Sequence, residues 1–139
     1  MAGKDAMNAD DLNVYLAEIF PDGRVSTIEY ADGKTTRTRC LYSQTQLRPG
    51  GTISGPTMMA LADTAVYALV LSAIGKVPLA VTTNLSINFL RKPKPGDLIA
   101  EARMLKLGKA LAVGDVIIYS DGSDDVVAHA VVTYSIPPR

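Results

Sequence analysis

The feature that most constrains the fold is the stretch 56–75, which predicts one long helix that is apolar on every side. Pro56 suits the first turn of a helix, where a missing N–H costs nothing, and Gly75 suits its end. Most positions between them are apolar, among them Met58, Met59, Leu61, Ala65, Val66, Leu69, Val70 and Ile74. A helix of this kind is buried. In a chain of 139 residues, only a sheet wrapped around the helix can bury it.

Segments on both sides of this helix predict that sheet. Alternating or continuous apolar runs, bounded by turns rich in glycine, proline and aspartate, predict strands at 24–30, 35–42, 81–90, 98–107, 110–120 and 126–136. Short turns, such as Ala31-Asp32-Gly33-Lys34, imply antiparallel neighbours. Residues 10–19 predict a short amphipathic helix that Asp10 or Asp11 caps.

The order of these elements predicts an α+β fold, with an antiparallel β-sheet wrapped around one long central helix and a short N-terminal helix. We see no repeat or linker, so we expect a single domain over residues 1–139, with residues 1–9 flexible. Strict alternation within 81–90 predicts one polar face, formed by Thr82, Asn84, Ser86 and Asn88. By the same period, His129 points away from the central helix and Cys40 is a buried thiol.

Composition narrows the function classes. The formal net charge is +0 with a pI near 6.6, which argues against broad attraction to nucleic acid. One Cys and one His argue against a metal site within one chain, and a lone thiol suits a reducing compartment. No secretory signal is visible, and the uninterrupted apolar stretch 65–71 is far below the ~20 residues of a membrane span. We therefore expect a cytoplasmic protein without nucleic-acid or membrane partners.

Asp63 stands out because it is the only charged residue between Arg48 and Lys76, well inside the apolar helix. Burying an unpaired carboxylate is costly, so something must solvate it, pair with it or use it. One interpretation is an acid whose protonation is tuned for chemistry. The alternatives are a structural aspartate bonded to a neighbouring loop, or one that faces a wet subunit interface.

Two motifs carry a family resemblance. The run Ser54-Gly55-Pro56 followed by six residues and Asp63, within Leu-Ala-Asp-Thr-Ala, resembles the start of the central helix in the phenylacetate-degradation branch of the hotdog-fold acyl-CoA thioesterase superfamily. In that branch the pattern is His-Gly-Gly, six residues and then an acid. The segments 85–91 and 95–100 resemble the third strand of the same family and its following turn. The resemblance covers roughly residues 20–136.

The resemblance implies a mechanism for this chain. Asp63 acts as general base or nucleophile toward the thioester carbonyl, and the Gly55 N–H stabilises the oxyanion. Thr82 aligns with a residue that orients the attacking water. The site forms between two subunits, so a homodimer is the minimum assembly and a homotetramer is open. The family uses no metal or bound cofactor, because coenzyme A arrives as part of the substrate.

Three positions depart from the family pattern. Ser54 stands where a histidine is usual, Pro56 replaces a glycine and removes a second N–H, and Arg48 stands for an asparagine. Ser54 could hold the loop through its hydroxyl. Arg48, if close to Asp63, would favour an ionised nucleophile or an anionic acyl group.

Further candidates concern substrate binding. The resemblance assigns the cations that follow the third strand to the phosphates of coenzyme A, whereas the alternative is a solvated turn. Tyr67 either lines the acyl pocket or packs in the core, and Asn84 either faces solvent or lies near the site across a dimer. The full set of predicted substrate-binding residues is Arg48, Ser54, Tyr67, Asn84, Arg91, Lys92 and Lys94.

Three functions remain open at this point. The leading hypothesis is hydrolysis of an acyl-CoA thioester to a free carboxylic acid and coenzyme A. The alternative is a non-catalytic acyl-CoA binding or regulatory domain, which the three departures motivate. Hotdog hydratase activity is a third, weaker hypothesis, because no histidine precedes His129 to form the Asp–His pair of that relative.

Overall fold

The computed structural model describes residues 6–23 and 26–139, and it confirms the predicted α+β architecture. The helices are α1 (Ala9–Ile19) and α2 (Gly55–Ile74). The strands are β1 (Ser26–Ala31), β2 (Thr35–Cys40), β3 (Leu47–Arg48), β4 (Thr52–Ile53), β5 (Val81–Phe89), β6 (Leu98–Leu107), β7 (Leu111–Ser120) and β8 (Val126–Ser135). Six strands form one antiparallel sheet in the order β1-β2-β6-β7-β8-β5, wrapped around α2 as the resemblance implies.

The second half of α2 forms the centre of the core. From Ala65 to Ala73 every residue of the helix is buried. Strand β7 approaches so closely that a Cβ added at Gly114 would lie 2.9 Å from the Cγ2 of Val66. By length and composition alone α2 could cross a membrane, but in this fold it is the core helix under the sheet. In its first half α2 exposes Met59 and Ala60, so the prediction of an apolar helix buried on every side holds for the second half only.

Helix α1 begins one residue earlier than predicted, and its predicted cap is wrong. Asn8 is the N-cap, and its side chain accepts from the backbone N–H of Asp11 at 2.9 Å. Asp11 in turn accepts from the N–H of Asn8 at 3.1 Å, which completes a capping box. Just before the helix, Met7 is buried and its N–H donates to Ser72 O at 3.2 Å.

Some predictions fall outside the described residues or stay untested. The first strand is described from Ser26, and the two residues that were predicted to open it, 24 and 25, lie outside the described part. Residues 1–5 lie outside it as well. Flexibility of residues 1–9 and the single-domain boundary stay predictions.

The loop before α2 contains structure that the sequence did not predict. Strands β3 and β4 form a two-stranded hairpin, whose turn uses the positive φ angles of Gly50 and Gly51, 100° and 78°. Two backbone hydrogen bonds anchor its exit: Ile53 N donates to Pro93 O at 3.0 Å and Ser54 N donates to Gln46 O at 2.8 Å. The start of α2 is therefore fixed against the connector that follows β5.

Strand β5 contains a bulge that the predicted strict alternation missed. Thr82 pairs with Tyr134 and Asn84 pairs with Thr133, so Thr83 is an extra residue without a partner of its own. Residues directly opposite each other share a face, so Thr82 lies on the helix side with Tyr134, while Asn84 lies on the outer side. The prediction that Thr82 and Asn84 share a polar face is wrong, because one inserted residue reverses the alternation.

The two faces of the sheet confirm other predictions about which side chains are buried. Cys40 is buried, and burial raises the pKa of its thiol. Arg39 lies on the opposite face of the same strand and bonds Glu29, Asp97 and Asp121 at 2.6, 3.1 and 2.8 Å. His129 faces away from α2, as predicted, and contacts Asp115 on β7.

Candidate active site

The carboxylate of Asp63 is the point where the helix and two strands converge. The Thr82 hydroxyl donates to Asp63 Oδ1 at 2.5 Å, and the Tyr134 hydroxyl donates to the same oxygen at 2.8 Å. Tyr134 also lies 3.2 Å from the backbone oxygen of Asp63. The half-buried acid is therefore bonded by side chains of β5 and β8, rather than by a neighbouring loop.

The second carboxylate oxygen, Oδ2, has a different environment. Among residues 6–23 and 26–139 the structure gives Oδ2 no hydrogen-bond partner, although Oδ1 has two. Asp63 lines a cavity of about 840 Å³. The other lining residues come from both helices, the loop after α1, the segment before β5, and strands β1, β5 and β8: Leu16, Phe20, Asp22, Gly23, Ser26, Thr64, Tyr67, Pro78, Ala80, Val81, Thr82 and Tyr134.

Aromatic rings form one wall of this cavity. The Tyr67 ring lies 6.2 Å from that of Phe20 and 5.7 Å from that of Tyr134, centroid to centroid. The Tyr67 hydroxyl donates to Pro78 O at 3.0 Å, so its polar end is satisfied outside the acid's network. Tyr67 is buried, as the core interpretation predicts, and it also lines this cavity, whereas a role in an acyl pocket stays a prediction.

Burial governs the ionisation of the two tyrosines. It raises the pKa of Tyr134 far above the ordinary tyrosine value. The Thr82 hydroxyl opposes this rise, and the negative charge of Asp63 adds to it. Burial also raises the pKa of Tyr67. Tyr134 therefore keeps its proton at neutral pH, and its hydroxyl can donate a hydrogen bond to Asp63.

Gly55 is the first residue of α2 and lies at a second, smaller cavity. Ser54 caps the helix by accepting from Thr57 N at 3.3 Å, so its hydroxyl bonds the first turn of α2, and its predicted role in holding the loop and binding substrate stays a prediction. Within the described residues no acceptor is recorded for the Gly55 N–H, as is usual for the first amides of a helix. A Cβ at Gly55 would lie 3.2 Å from the Phe89 ring.

The second cavity gathers most of the predicted cations. Its volume is about 430 Å³, and Arg48, Arg91 and Lys92 line it together with Gly55. Arg91 also donates from Nη1 to Val126 O at 2.6 Å, which fixes part of its guanidinium to the end of β8. Lys94 is exposed and is not among the lining residues of this cavity.

Within one chain the two cavities are separate. Asp63 follows Gly55 by eight positions in α2, which places them about 12 Å apart along the helix. The two cavities have no lining residue in common. Arg48 lines the cavity at Gly55 and not the cavity at Asp63, so within one chain the structure does not bring Arg48 and Asp63 together in one cavity. Asn84 lines neither cavity, and its role in binding stays a prediction.

Tyr134 is the functional candidate that the sequence analysis missed. It lies within the strand predicted at 126–136, to which no site residue was assigned, and it follows Asp63 by 71 positions in the chain. The available signal was a hydroxyl within an otherwise apolar row, since a buried tyrosine usually finds a polar partner. Among the described residues no group of three or more metal-ligating side chains is present.

Known proteins resemble this chain over most of its length. Residues 50–133 match the family described as the thioesterase superfamily. A candidate thioesterase from Silicibacter sp. TM1040 is 48% identical, with a TM-score of 0.86 over 95% of this chain and 93% of that one. A candidate esterase from Saccharolobus solfataricus is 32% identical over 102 residues, which are 73% of this chain and 66% of the relative.

A further solved structure has the same fold at lower identity. It is a candidate thioesterase from Ralstonia eutropha, described as related to phenylacetic acid degradation. It is 22% identical, with a TM-score of 0.73 over 88% of this chain and 89% of that one. At that identity the likeness shows the fold alone.

Proposed function

Since the chain belongs to the thioesterase superfamily and has its hotdog fold, we propose that it hydrolyses an acyl-CoA thioester to a free carboxylic acid and coenzyme A. Family membership and the similar thioesterases support a thioester hydrolase in general. The observation that carries the proposal is the carboxylate of Asp63, which two hydroxyls hold by Oδ1 while Oδ2 has no partner among the described residues. A cavity large enough for an acyl group lies beside it.

The proposed reaction uses one water and balances without a cofactor. The water oxygen bonds to the thioester carbon while Asp63 Oδ2 takes one of its protons. The Gly55 N–H stabilises the resulting oxyanion. The C–S bond then breaks, and the proton passes from Asp63 to the thiolate of coenzyme A. In the nucleophilic variant Oδ2 itself bonds to the carbon and expels the thiolate, and water then hydrolyses the acyl-aspartate anhydride.

Asp63 and Gly55 are far apart within one chain, and a homodimer can bring them together if each site is built from both subunits. Strand β5 pairs only with β8 among the described strands, so its other edge is free. One end of β5, at Thr82, lies beside the Asp63 cavity, and the other end, at Phe89, lies beside the Gly55 cavity. If two copies pair antiparallel along β5, the Thr82 end of one copy meets the Phe89 end of the other. Asp63 of each copy then shares a site with Gly55 of the partner subunit.

The exposed residues of this edge support such pairing. Val81 and Phe89 at the ends of β5 are 56% and 48% exposed, and Leu90 just beyond is 55% exposed. Exposed apolar side chains along an unpaired strand edge mark a place where another chain can add. A tetramer built from such dimers is compatible with the proposal.

The cationic cavity suits coenzyme A. Arg48, Arg91 and Lys92 provide the charge that phosphate groups require, close to the Gly55 N–H. The acyl chain would extend toward the cavity that Phe20, Tyr67 and Tyr134 line. Coenzyme A arrives as part of the substrate, and we propose no bound cofactor or metal.

A non-catalytic acyl-CoA binding domain is the second candidate. Pro56 favours it, because an oxyanion site with Pro56 in its first turn has one backbone donor fewer. Calorimetry distinguishes the two candidates: tight acyl-CoA binding without thiol release supports a binding domain, and turnover that depends on Asp63 excludes it.

The decisive experiment measures free thiol released from a panel of short, long and aromatic acyl-CoAs. We expect wild type to turn over at least one of them and Asp63→Asn to lose about 100-fold or more in kcat, the contribution typical of a general base. Asp10→Asn is the matched control, because Asp10 is exposed on α1 and far from the cavity lining. Equal rates in wild type and Asp63→Asn would contradict the proposal.

A further inference from the structure

The hydroxyl of Tyr134 has an unusual position for a residue of the apolar core. The side chain is 3% exposed, and β8 holds it between Thr82 of β5 and Ala112 of β7. Its ring packs against that of Tyr67 at 5.7 Å. From this fixed place the hydroxyl reaches Asp63 Oδ1 at 2.8 Å.

We propose that Tyr134 is a positioning residue for Asp63, which fixes the carboxylate by Oδ1 so that Oδ2 is the oxygen presented to water or substrate. Its catalytic consequence rests on the proposed thioester hydrolysis. The contact itself does not depend on that function, so the two can be tested apart.

The torsion of an aspartate side chain explains why such a residue is needed. Its terminal torsion is broad, so packing alone does not fix the orientation of the carboxylate plane. Two donors on one oxygen fix that orientation, because turning the plane away would break both bonds, and the other oxygen is then directed to the cavity. A reacting group must be held close to its productive geometry for efficient catalysis.

Tyr134 and Thr82 are not equivalent in this role. Thr82 lies on the edge strand, beside a bulge, and is exposed. Tyr134 lies on β8, which pairs with β7 on one side and β5 on the other. The tyrosine is therefore the rigid donor of the pair, and its raised pKa keeps the proton on its oxygen.

The test compares Tyr134→Phe with Thr36→Val. Both substitutions remove one buried hydroxyl that bonds α2, because Thr36 is 2% exposed and its Oγ1 donates to Ala65 O at 3.1 Å. Thr36 does not contact Asp63. We expect Tyr134→Phe to lower kcat on acyl-CoA by about 10- to 100-fold while KM changes by less than about threefold, as partners of reacting groups typically do. Thr36→Val should retain kcat within about twofold.

A double-mutant cycle measures the contact without any activity assay. The equilibrium constant for unfolding is determined in denaturant for wild type, Tyr134→Phe, Asp63→Ala and the double variant, at one protomer concentration. We expect the effects to be non-additive by a factor of about three or more, because the two side chains touch. The cycle of Thr36→Val with Asp63→Ala should be additive within about a factor of two.

Each outcome bears on a different statement. Additive stabilities in the Tyr134 cycle overturn the inference, whatever the kinetics. Non-additive stabilities with full kcat in Tyr134→Phe overturn the positioning role and leave a structural hydrogen bond. A folded wild type that releases no thiol from any acyl-CoA overturns the proposed function and, with it, the catalytic consequence. Non-additivity together with a fall in kcat supports the inference.

Discussion

The Thr82 hydroxyl reaches Asp63 Oδ1 at 2.5 Å because a bulge at Thr83 turns Thr82 toward the helix. Without the extra residue, Thr82 would lie on the outer face of the sheet with Asn84. A single inserted residue on the edge strand thus completes the hydrogen bonding of the acid. Bulges commonly redirect a side chain next to an active site.

This relationship predicts different effects for two neighbouring threonines. Thr82→Val removes a donor from Asp63 and should lower kcat by about tenfold or more. Thr83→Val removes a hydroxyl whose recorded partner is Thr133 O at 3.4 Å, so kcat should stay within about twofold. Steady-state thiol release on the best acyl-CoA measures both. Similar losses in the two variants would show that β5 as a whole, rather than the Thr82 hydroxyl, supports the acid.

The proposed composite site predicts complementation between inactive subunits. Asp63→Asn and Gly55→Val should each be inactive. The first removes the acid, and the second adds a side chain whose Cβ alone would lie 3.2 Å from the Phe89 ring. A refolded equal mixture should regain about a quarter of wild-type activity, because half of the dimers are mixed and each of those has one intact site of two.

The control for complementation mixes two lesions of the same half-site. Asp63→Asn with Asp63→Ala should regain nothing, since no arrangement of these subunits contains an intact acid. Size-exclusion chromatography verifies that each variant has the wild-type assembly. If the mixture of Asp63→Asn with Gly55→Val also regains no activity although mixed dimers form, the active site is not composite.

The close contact between β7 and α2 predicts strain on substitution of Gly114. Gly114→Ala places a Cβ 2.9 Å from Val66 Cγ2 and should cost about 1–3 kcal/mol of the free energy of unfolding. Val66→Ala in the same chain removes the clashing atoms, so the double variant should lose less than the sum of the two single losses. Urea denaturation measures the cycle. Strict additivity would mean that the backbone of β7 moves away instead.

The ion pairs of the outer face predict a stability that depends on pH. The Arg39 guanidinium, together with that of Arg37, holds the pKa of Glu29 below its ordinary value of 4.5 against the effect of burial. A depressed pKa in the folded state stabilises the protein above the unfolded value, and this contribution is lost as pH falls through the folded value.

Glu29→Gln measures that contribution. It should lower the free energy of unfolding by about 1 kcal/mol or less at pH 7. This destabilisation should become smaller as pH falls below about 4.5. Glu18→Gln, on the exposed face of α1, is the control and should change stability little at either pH. A difference between wild type and Glu29→Gln that grows toward acid pH would contradict the assigned pairing.

The cationic cavity predicts a selective effect on substrate binding. Lys92→Gln should raise KM for acyl-CoA by about fivefold with little change in kcat, because an exposed ion pair is worth roughly 1 kcal/mol. The effect should be absent with an acyl thioester that lacks the phosphates, and it should shrink at high salt. Lys109→Gln, in the turn between β6 and β7, is the matched control. An equal rise in KM for the substrate without phosphates would exclude a role in binding them.

The fold and the position of the candidate acid could be predicted from the sequence for a clear physical reason. An apolar helix must be buried, and short turns between alternating segments indicate an antiparallel sheet as the element that buries it. The helix around Asp63 and the strands after it could therefore be predicted. Asp63 was conspicuous because nothing local could pair with it. Both inferences depend on patterns within about 20 residues.

The partners of Asp63 could not be read in the same way. The bulge at Thr83 is invisible to a period of two, so Thr82 was placed on the wrong face. Tyr134 meets Asp63 only through the pairing of β5 with β8, which is a property of the sheet order. Arg48 lies in the β3–β4 hairpin, which the sequence did not predict, and it lines the cavity at Gly55 instead of the one at Asp63.

The sheet order also determines when the acid acquires its donors during synthesis. Strand β5 pairs with β8, the last of the six strands to leave the ribosome, and with no other described strand of its own chain. The growing chain therefore carries Asp63 on its apolar helix without either hydroxyl in place until about 50 residues after β5 begins have been added. Non-local pairing of this kind is slow to form. The carboxylate of Asp63 therefore acquires both of its hydrogen-bond donors only when β8 has joined β5 and the sheet is complete.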